Sequence, residues 1–171
     1  MIYEPSDDTF LMLDVLKKNL RDKDVKILEI GVGSGYILEN LKKFGFKTLV
    51  GVDINSEAVK LCKEKKLNVF ESNLFSKVVG KFDVIFFNPP YLPEDKMEDK
   101  KSQTATTGGK TGSKIINQFL IELPEYLEKN GQIFLLTSSL TRGVKWGSFK
   151  KTLVGEKKLF FEKLEVWRLT I

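Results

Sequence analysis

The chain has 171 residues and 19.5 kDa, about one domain's worth, and its 42% hydrophobic and 30% charged residues are a soluble globular composition. It has no histidine and one cysteine, Cys62, which excludes Ser-His-Asp triads, Cys-His dyads, His-ligated zinc or haem, internal disulfides and multi-cysteine metal sites. The net charge of +5 is uneven, −1 over residues 1–128 and +6 over residues 129–171, yet only Arg21, Arg142 and Arg168 are arginines. The basic end therefore reads first as a solvated lysine surface, with a functional basic face as the alternative, because base-edge readout favours arginine's planar fork.

A single domain over residues 1–171 is expected, with a helical segment at 1–22. Apolar spacing predicts a first helix over residues 8–20. An aliphatic run at 25–30 reads as a buried strand ending at Gly31, and 36–44 as a helix stopped by Gly45. Residues 48–52 form a second strand ending at Asp53, and Ser56 is a good N-cap for a helix to about Lys65. Strands follow at 67–70 and 82–87, then a helix at 113–128, a strand at 132–137 and β-like alternation over 159–171, a hairpin turning near Glu162 and Lys163. Alternating strands and helices argue an α/β domain with a mainly parallel sheet. The polar stretch 92–112 is long for a loop and directly follows the central strand, which marks it as a substrate-side loop. No apolar run approaches the ~18 residues of a membrane span. The start, MIYEPSDDTF, lacks a basic region followed by an apolar one, so no signal peptide is expected. A lone cysteine fits a reducing, cytoplasmic compartment.

Two motifs carry chemistry. The first is Glu29-Ile30-Gly31-Val32-Gly33-Ser34-Gly35, between strand one and the next helix. Tyr36 stands where a dinucleotide fingerprint needs its third glycine. The G-x-G-x-G spacing after an acid is more similar to the S-adenosylmethionine loop of class I methyltransferases. Asp53, at the end of strand two, is placed to take the ribose hydroxyls of an adenosine group. The second motif is Asn88-Pro89-Pro90-Tyr91, directly after the 82–87 strand. Two prolines stiffen the turn and remove two N–H donors, leaving the Asn88 side chain and the carbonyls to accept from a substrate NH₂ group. Tyr91 offers a flat face to stack on a planar amide or base. Gly109-Lys110-Thr111 lacks the earlier glycine of a phosphate loop, with Thr104 in its place. The acids Glu94, Asp95, Glu98 and Asp99 alternate with Lys96, Lys100 and Lys101, which reads as a solvated loop.

With these motifs the chain resembles the eukaryotic and archaeal release-factor glutamine methyltransferases, of the HemK-like N5-glutamine methyltransferase family. Their Y-E-P-x-x-D-T-F opening stands here as Tyr3-Glu4-Pro5-Ser6-Asp7-Asp8-Thr9-Phe10, and their G-G-x-x-G as Gly108-Gly109-Lys110-Thr111-Gly112. The resemblance covers residues 3–137 well and the last thirty weakly. It implies a class I (Rossmann-like) fold: a mainly parallel seven-stranded sheet, a C-terminal antiparallel hairpin and helices on both faces. It implies contacts to S-adenosylmethionine from Thr9, Glu29, Gly31, Gly33, Gly35, Asp53, Asn73, Leu74 and Asn88. Catalysis falls to Asn88, Pro89 and Tyr91, and substrate contact to Tyr3, Pro90 and Tyr91. No metal is implied. Asn73 departs from the family's aspartate and accepts through its amide oxygen without a charge. Ala105-Thr106-Thr107 replaces the aromatic before the G-G pair.

The implied reaction is methyl transfer to the side-chain amide of the glutamine in a Gly-Gly-Gln motif of a class I translation termination factor. The implied partner is a small zinc-binding activator subunit, in a heterodimer, docking beside strand three, with Leu67, Val69 and Phe70 as candidates unless they pack inside. The alternatives are an exocyclic amine of adenine or guanine in nucleic acid, a lysine on another protein, and a non-catalytic scaffold subunit. A base in a duplex must be flipped out, which demands more recognition surface than these loops offer.

Overall fold

The computed structural model describes residues 2–92, 109–110 and 112–171. The acidic 94–99 cluster, Thr104 to Gly108, and most of the 92–112 loop lie outside the described residues. Helix α1 (Asp7–Asn19) leads into β1 (Lys26–Ile30), α2 (Tyr36–Lys43), β2 (Thr48–Asp53), α3 (Ser56–Glu64), β3 (Val69–Glu71) and β4 (Phe82–Phe87). Then come α4 (Lys114–Glu122), a 3₁₀ turn (Leu123–Tyr126), β5 (Leu127–Ser138), β6 (Lys150–Lys158) and β7 (Lys163–Thr170).

The seven strands form one sheet in the order β3-β2-β1-β4-β5-β7-β6. The first five strands are parallel, while β7 runs antiparallel to both β5 and β6. Strand β2 lies on one side of β1 and β5 on the far side of β4. Right-handed crossovers therefore put α2 and α4 on opposite faces. Coverage on both faces explains the near-continuous apolar runs: Ile27 and Leu28, Val84 to Phe87, and Ile133 to Leu136 are all at most 3% exposed. The chain leaves β1 and β4 toward opposite sides, and Ile30 pairs with Phe87. This is the switch point at which an open α/β sheet has a crevice beyond its strand ends. Gly31 and Asn88 are the next residues along each strand and flank that crevice.

Four local expectations are corrected. The helix expected over 113–128 stops at Glu122, because Pro124 has no N–H for an α-helical ladder; a 3₁₀ turn follows and Leu127 already begins β5. Asn55, not Ser56, caps α3: its side-chain oxygen accepts from the Glu57 N–H at 3.0 Å. The hairpin turns at residues 159–162, where the Leu159 N–H meets the Glu162 carbonyl at 2.8 Å, but its first arm is β6, upstream of the expected range. Strand three is an edge as expected, yet Leu67 and Val69 are buried in the core and only Phe70 is half-exposed.

Candidate active site

Four loops at the carboxyl ends of the parallel strands, with the N-terminal segment, enclose a cavity of about 890 Å³, within the usual range for a small-molecule site. The glycine loop after β1 supplies Glu29, Gly31 and Gly33 to its wall. Gly35 is the one residue of the expected cofactor set that does not line it. It caps α2 at φ +76°, and a Cβ there would lie 2.7 Å from Cys62 Sγ and 2.9 Å from a Leu67 methyl. Gly35 thus seats the loop against Cys62 and Leu67, off the cavity wall. Burial pushes the Cys62 thiol up to about 11, so Cys62 is packing and not a nucleophile.

Asp53 closes β2 beside the loop. One carboxylate oxygen accepts the Gly33 N–H at 2.9 Å and the other the Asn55 N–H at 2.8 Å. The same acid that was expected to meet a ribose therefore fixes the glycine loop and the start of α3. Asn73 and Leu74 line the far wall. Their turn is built on buried Ser72, whose hydroxyl donates to the Leu74 carbonyl and accepts the Lys77 N–H, both at 3.0 Å. This holds Leu74 at φ +47°, a strained setting for a branched residue and one found at functional sites.

The Asn88-Pro89-Pro90-Tyr91 turn forms the wall at the end of β4, and all four residues line the cavity. Asn88 Oδ1 is buried and has no hydrogen-bond partner. The Tyr91 ring is 9% exposed; its hydroxyl donates to Asp8 at 3.3 Å and its carbonyl accepts from Thr141 Oγ1 at 2.9 Å. Asp8 belongs to the Y-E-P opening and lies in the first turn of α1. It is 3% exposed and lines the cavity. Its carboxylate accepts the Thr9 N–H at 2.7 Å, the Ser6 hydroxyl at 2.8 Å, and the hydroxyls of Tyr3 and Tyr91. The Y-E-P opening is thereby tied to the Asn-Pro-Pro-Tyr turn across 83 residues of chain. Burial, with the Asp8 carboxylate adding to it, pushes the Tyr91 hydroxyl well above its ordinary range. Burial likewise pushes Tyr3 up to about 12, against a bond to Ser6 that lowers it. Both phenols stay protonated and act as donors.

Glu29 is 3% exposed, and one of its carboxylate oxygens has no partner. Burial raises its pKa well above 4.5, and the Asp53 charge raises it further; the Leu38 N–H opposes both. Two buried, unpartnered acceptors at the neighbouring ends of β1 and β4 in a preformed cavity, with Asp53 at the end of β2 on the other side of β1, fit a ligand rich in donors and positive charge. S-adenosylmethionine, with an ammonium, a sulfonium and ribose hydroxyls, has that chemistry.

Residues 6–145 match the family model described as the methyltransferase small domain. The chain belongs to that methyltransferase family. A Methanocaldococcus jannaschii protein, provisionally named a protein N5-glutamine methyltransferase, is 48% identical over 98% of this chain and 92% of its own. The Schizosaccharomyces pombe eRF1 methyltransferase catalytic subunit mtq2 is 30% identical over 79% of this chain and 71% of its own. Among solved structures, an RNA methyltransferase from Salinibacter ruber, in complex with S-adenosyl-L-homocysteine, superposes with a TM-score of 0.62 at 14% identity, over 97% of this chain and 94% of that one. The last likeness shows the class I methyltransferase fold. The first two agree with the resemblance to release-factor glutamine methyltransferases.

Proposed function

We propose that this enzyme transfers a methyl group from S-adenosylmethionine to the side-chain amide nitrogen of a glutamine, the one in the Gly-Gly-Gln motif of a class I release factor. The observation that carries the reading is the buried, unpartnered Asn88 Oδ1 in a turn whose two prolines offer no competing N–H. We assign Thr9, Glu29, Gly31, Gly33, Asp53, Asn73 and Leu74 to the cofactor, all of them cavity residues. When bound, that group supplies the electrophilic methyl carbon of a sulfonium.

An amide nitrogen is a poor nucleophile because its lone pair is delocalised into the carbonyl. As it attacks, positive charge grows on it and its N–H bonds become stronger donors. Acceptors aimed at those hydrogens therefore bind the transition state more tightly than the ground state. Asn88 Oδ1 and the Pro89 carbonyl take that part. Tyr91, held by Asp8 and Thr141, fixes the slot that the flat amide enters. The methylated nitrogen carries an N–H acidic enough to lose its proton to water, so no histidine base is needed, consistent with a chain that has none.

We also propose a heterodimer with a small zinc-binding activator. Two observations support it: strand β3 is a three-residue edge strand with half-exposed Phe70, and the mtq2 relative is named a catalytic subunit. Among the described residues no helix is long and apolar enough to cross a membrane. We place the reaction in the cytoplasm, where translation terminates.

The test is transfer of label from labelled S-adenosylmethionine, activator present, to three substrates: a release factor with Gly-Gly-Gln intact, its Gln→Glu variant, and single-stranded RNA or DNA. Label on the first alone is expected. Label on nucleic acid instead would overturn the glutamine reading and leave the fold and cofactor reading standing.

A further inference from the structure

We infer that the tip of the β6–β7 hairpin, through Phe160 and Phe161, is a docking surface for the protein that presents the acceptor glutamine; this rests on the reading above. Phe160 is 93% and Phe161 83% exposed, and their rings meet edge to face with centroids 4.6 Å apart. They are the two most exposed Phe side chains among the described residues. Turn chemistry does not call for them, since tight turns favour Gly, Asn, Asp, Pro and Ser. Neither ring belongs to the core or packs against its edge. Neighbouring apolar side chains left in water mark an interaction site more often than scattered single ones do.

The place of the tip identifies its occupant. Strand β7 runs antiparallel to β5, with Ser138 opposite Leu164, so the turn emerges at the carboxyl edge of the parallel strands, the edge that holds the cavity. The Ser138 hydroxyl donates to the Glu162 carboxylate, the Ser139 N–H bonds the Lys163 carbonyl at 2.8 Å, and Thr141 bonds the Tyr91 carbonyl. One continuous segment, 138–141, thus ties the tip to the Asn-Pro-Pro-Tyr turn. On the other arm, Lys157 pairs with Asp7 at 2.6 Å, one residue from Asp8. The Glu162 charge is felt at both Tyr3 and Tyr91, where it helps raise the phenols. A protein whose glutamine enters this cavity must lie over its rim, so its surface is continuous with the tip.

Charge selects a protein over a polyanion. Lys157 is paired with Asp7, and Lys163 with Glu156 at 3.5 Å and Glu165 at 2.8 Å; Glu162 sits in the turn itself. Of the three lysines flanking the aromatics, Lys157 and Lys163 are paired and Lys158 alone has no ion pair among the described residues, whereas a single-stranded nucleic acid or an anionic membrane calls for several unpaired cations beside the rings. The tip is an apolar contact with a charged collar, which calls for an apolar patch on the substrate protein beside the loop that carries its glutamine.

The experiment compares wild type with the double variant Phe160→Ser and Phe161→Ser, full-length and with activator. It uses an intact release factor and, separately, a short peptide containing Gly-Gly-Gln. The expected result is a fall in kcat/KM of about tenfold or more on the intact factor, carried by KM, because buried aromatics dominate protein interfaces. Peptide methylation, cofactor affinity and thermal midpoint should be unchanged. An unchanged rate on the intact factor overturns the inference. So does an equal loss on factor and peptide, which would place the effect in the active site or in folding. If the double variant instead loses single-stranded RNA binding or self-association that the wild type has, the tip serves another occupant and the inference falls. If the wild type labels neither glutamine substrate, the glutamine reading fails first and docking falls with it.

Discussion

Asn88 and Glu29 each keep one buried oxygen without a protein partner, and a folded chain tolerates that cost only where a ligand or a proton meets it. For Asn88 the ligand is the amide in flight: Asn88→Ala is expected to cut turnover about 100-fold while leaving the cofactor dissociation constant nearly unchanged, read by single-turnover kinetics and titration. For Glu29 the proton is part of the answer. Its pKa is raised by burial and then by Asp53, so its contribution to stability is full below 4.5 and is lost as pH rises through the raised value. Glu29→Gln, which stays neutral, should therefore gain thermal stability over the wild type as pH climbs from 4.5 toward 8, with no gain at the acid end. A pH-independent difference in melting temperature would contradict this. Asp8, by contrast, has a full set of partners and collects donors from Ser6, Thr9, Tyr3 and Tyr91. Asp8→Ala would strand those donors and is expected to destabilise the fold by about 1–3 kcal/mol in chemical unfolding.

At the scale of elements, the hairpin arm β6 meets α1 through a glycine. The β6–β7 register shifts between Leu153 and Gly155, and a Cβ at Gly155 would collide with Val15 on α1. The bulge and the missing side chain together let the helix lie directly on the strand. Gly155→Ala should cost about 1–3 kcal/mol by overpacking, seen as a lower denaturant midpoint with an unchanged slope. Strand β6 also gives the basic chain end a structural role. Lys150, Lys151, Lys157 and Lys158 lie on the outermost strand, where lysines discourage edge-to-edge pairing. Lys151 additionally sits 4.6 Å from the rings of both Trp146 and Trp167. At the other edge, β3 is only three residues long and ends on exposed Glu71.

Across the whole molecule, the cavity joins segments separated by most of the chain, so a cofactor that bridges its walls stabilises the fold by mass action. At about 100 times its dissociation constant a ligand adds about 2.7 kcal/mol to the native state. Asp53→Ala removes the acid that holds Gly33 and Asn55 as well as the expected ribose partner, and should lose most of the cofactor-induced rise in melting temperature at the same concentration. The parallel half of the sheet, Gly31 and Gly33, Asp53 and the Asn-Pro-Pro-Tyr turn were all legible in the sequence. Each rests on short-range rules: apolar runs for strands buried on both faces, glycine for positive φ, proline for a turn without donors. What failed locally failed for tertiary reasons. Strand β6 is charged at five of its nine positions and has no apolar alternation, because it lies at the sheet's edge. The span expected to be helical to residue 128 is cut by Pro124 and recruited into β5 by pairing of Leu127 with Phe82. The glycine spacing does not show that Gly35 packs against Cys62 and Leu67, away from the cavity wall. Ser138 carried no sequence signal beyond polarity, Glu162 was legible only as a turn residue, and Asp8 only as a member of the Y-E-P opening. Only the fold brings residue 8 to residue 91, and residue 162 to residue 138, because a hydrogen bond depends on distance in space and the local pattern records only distance along the chain.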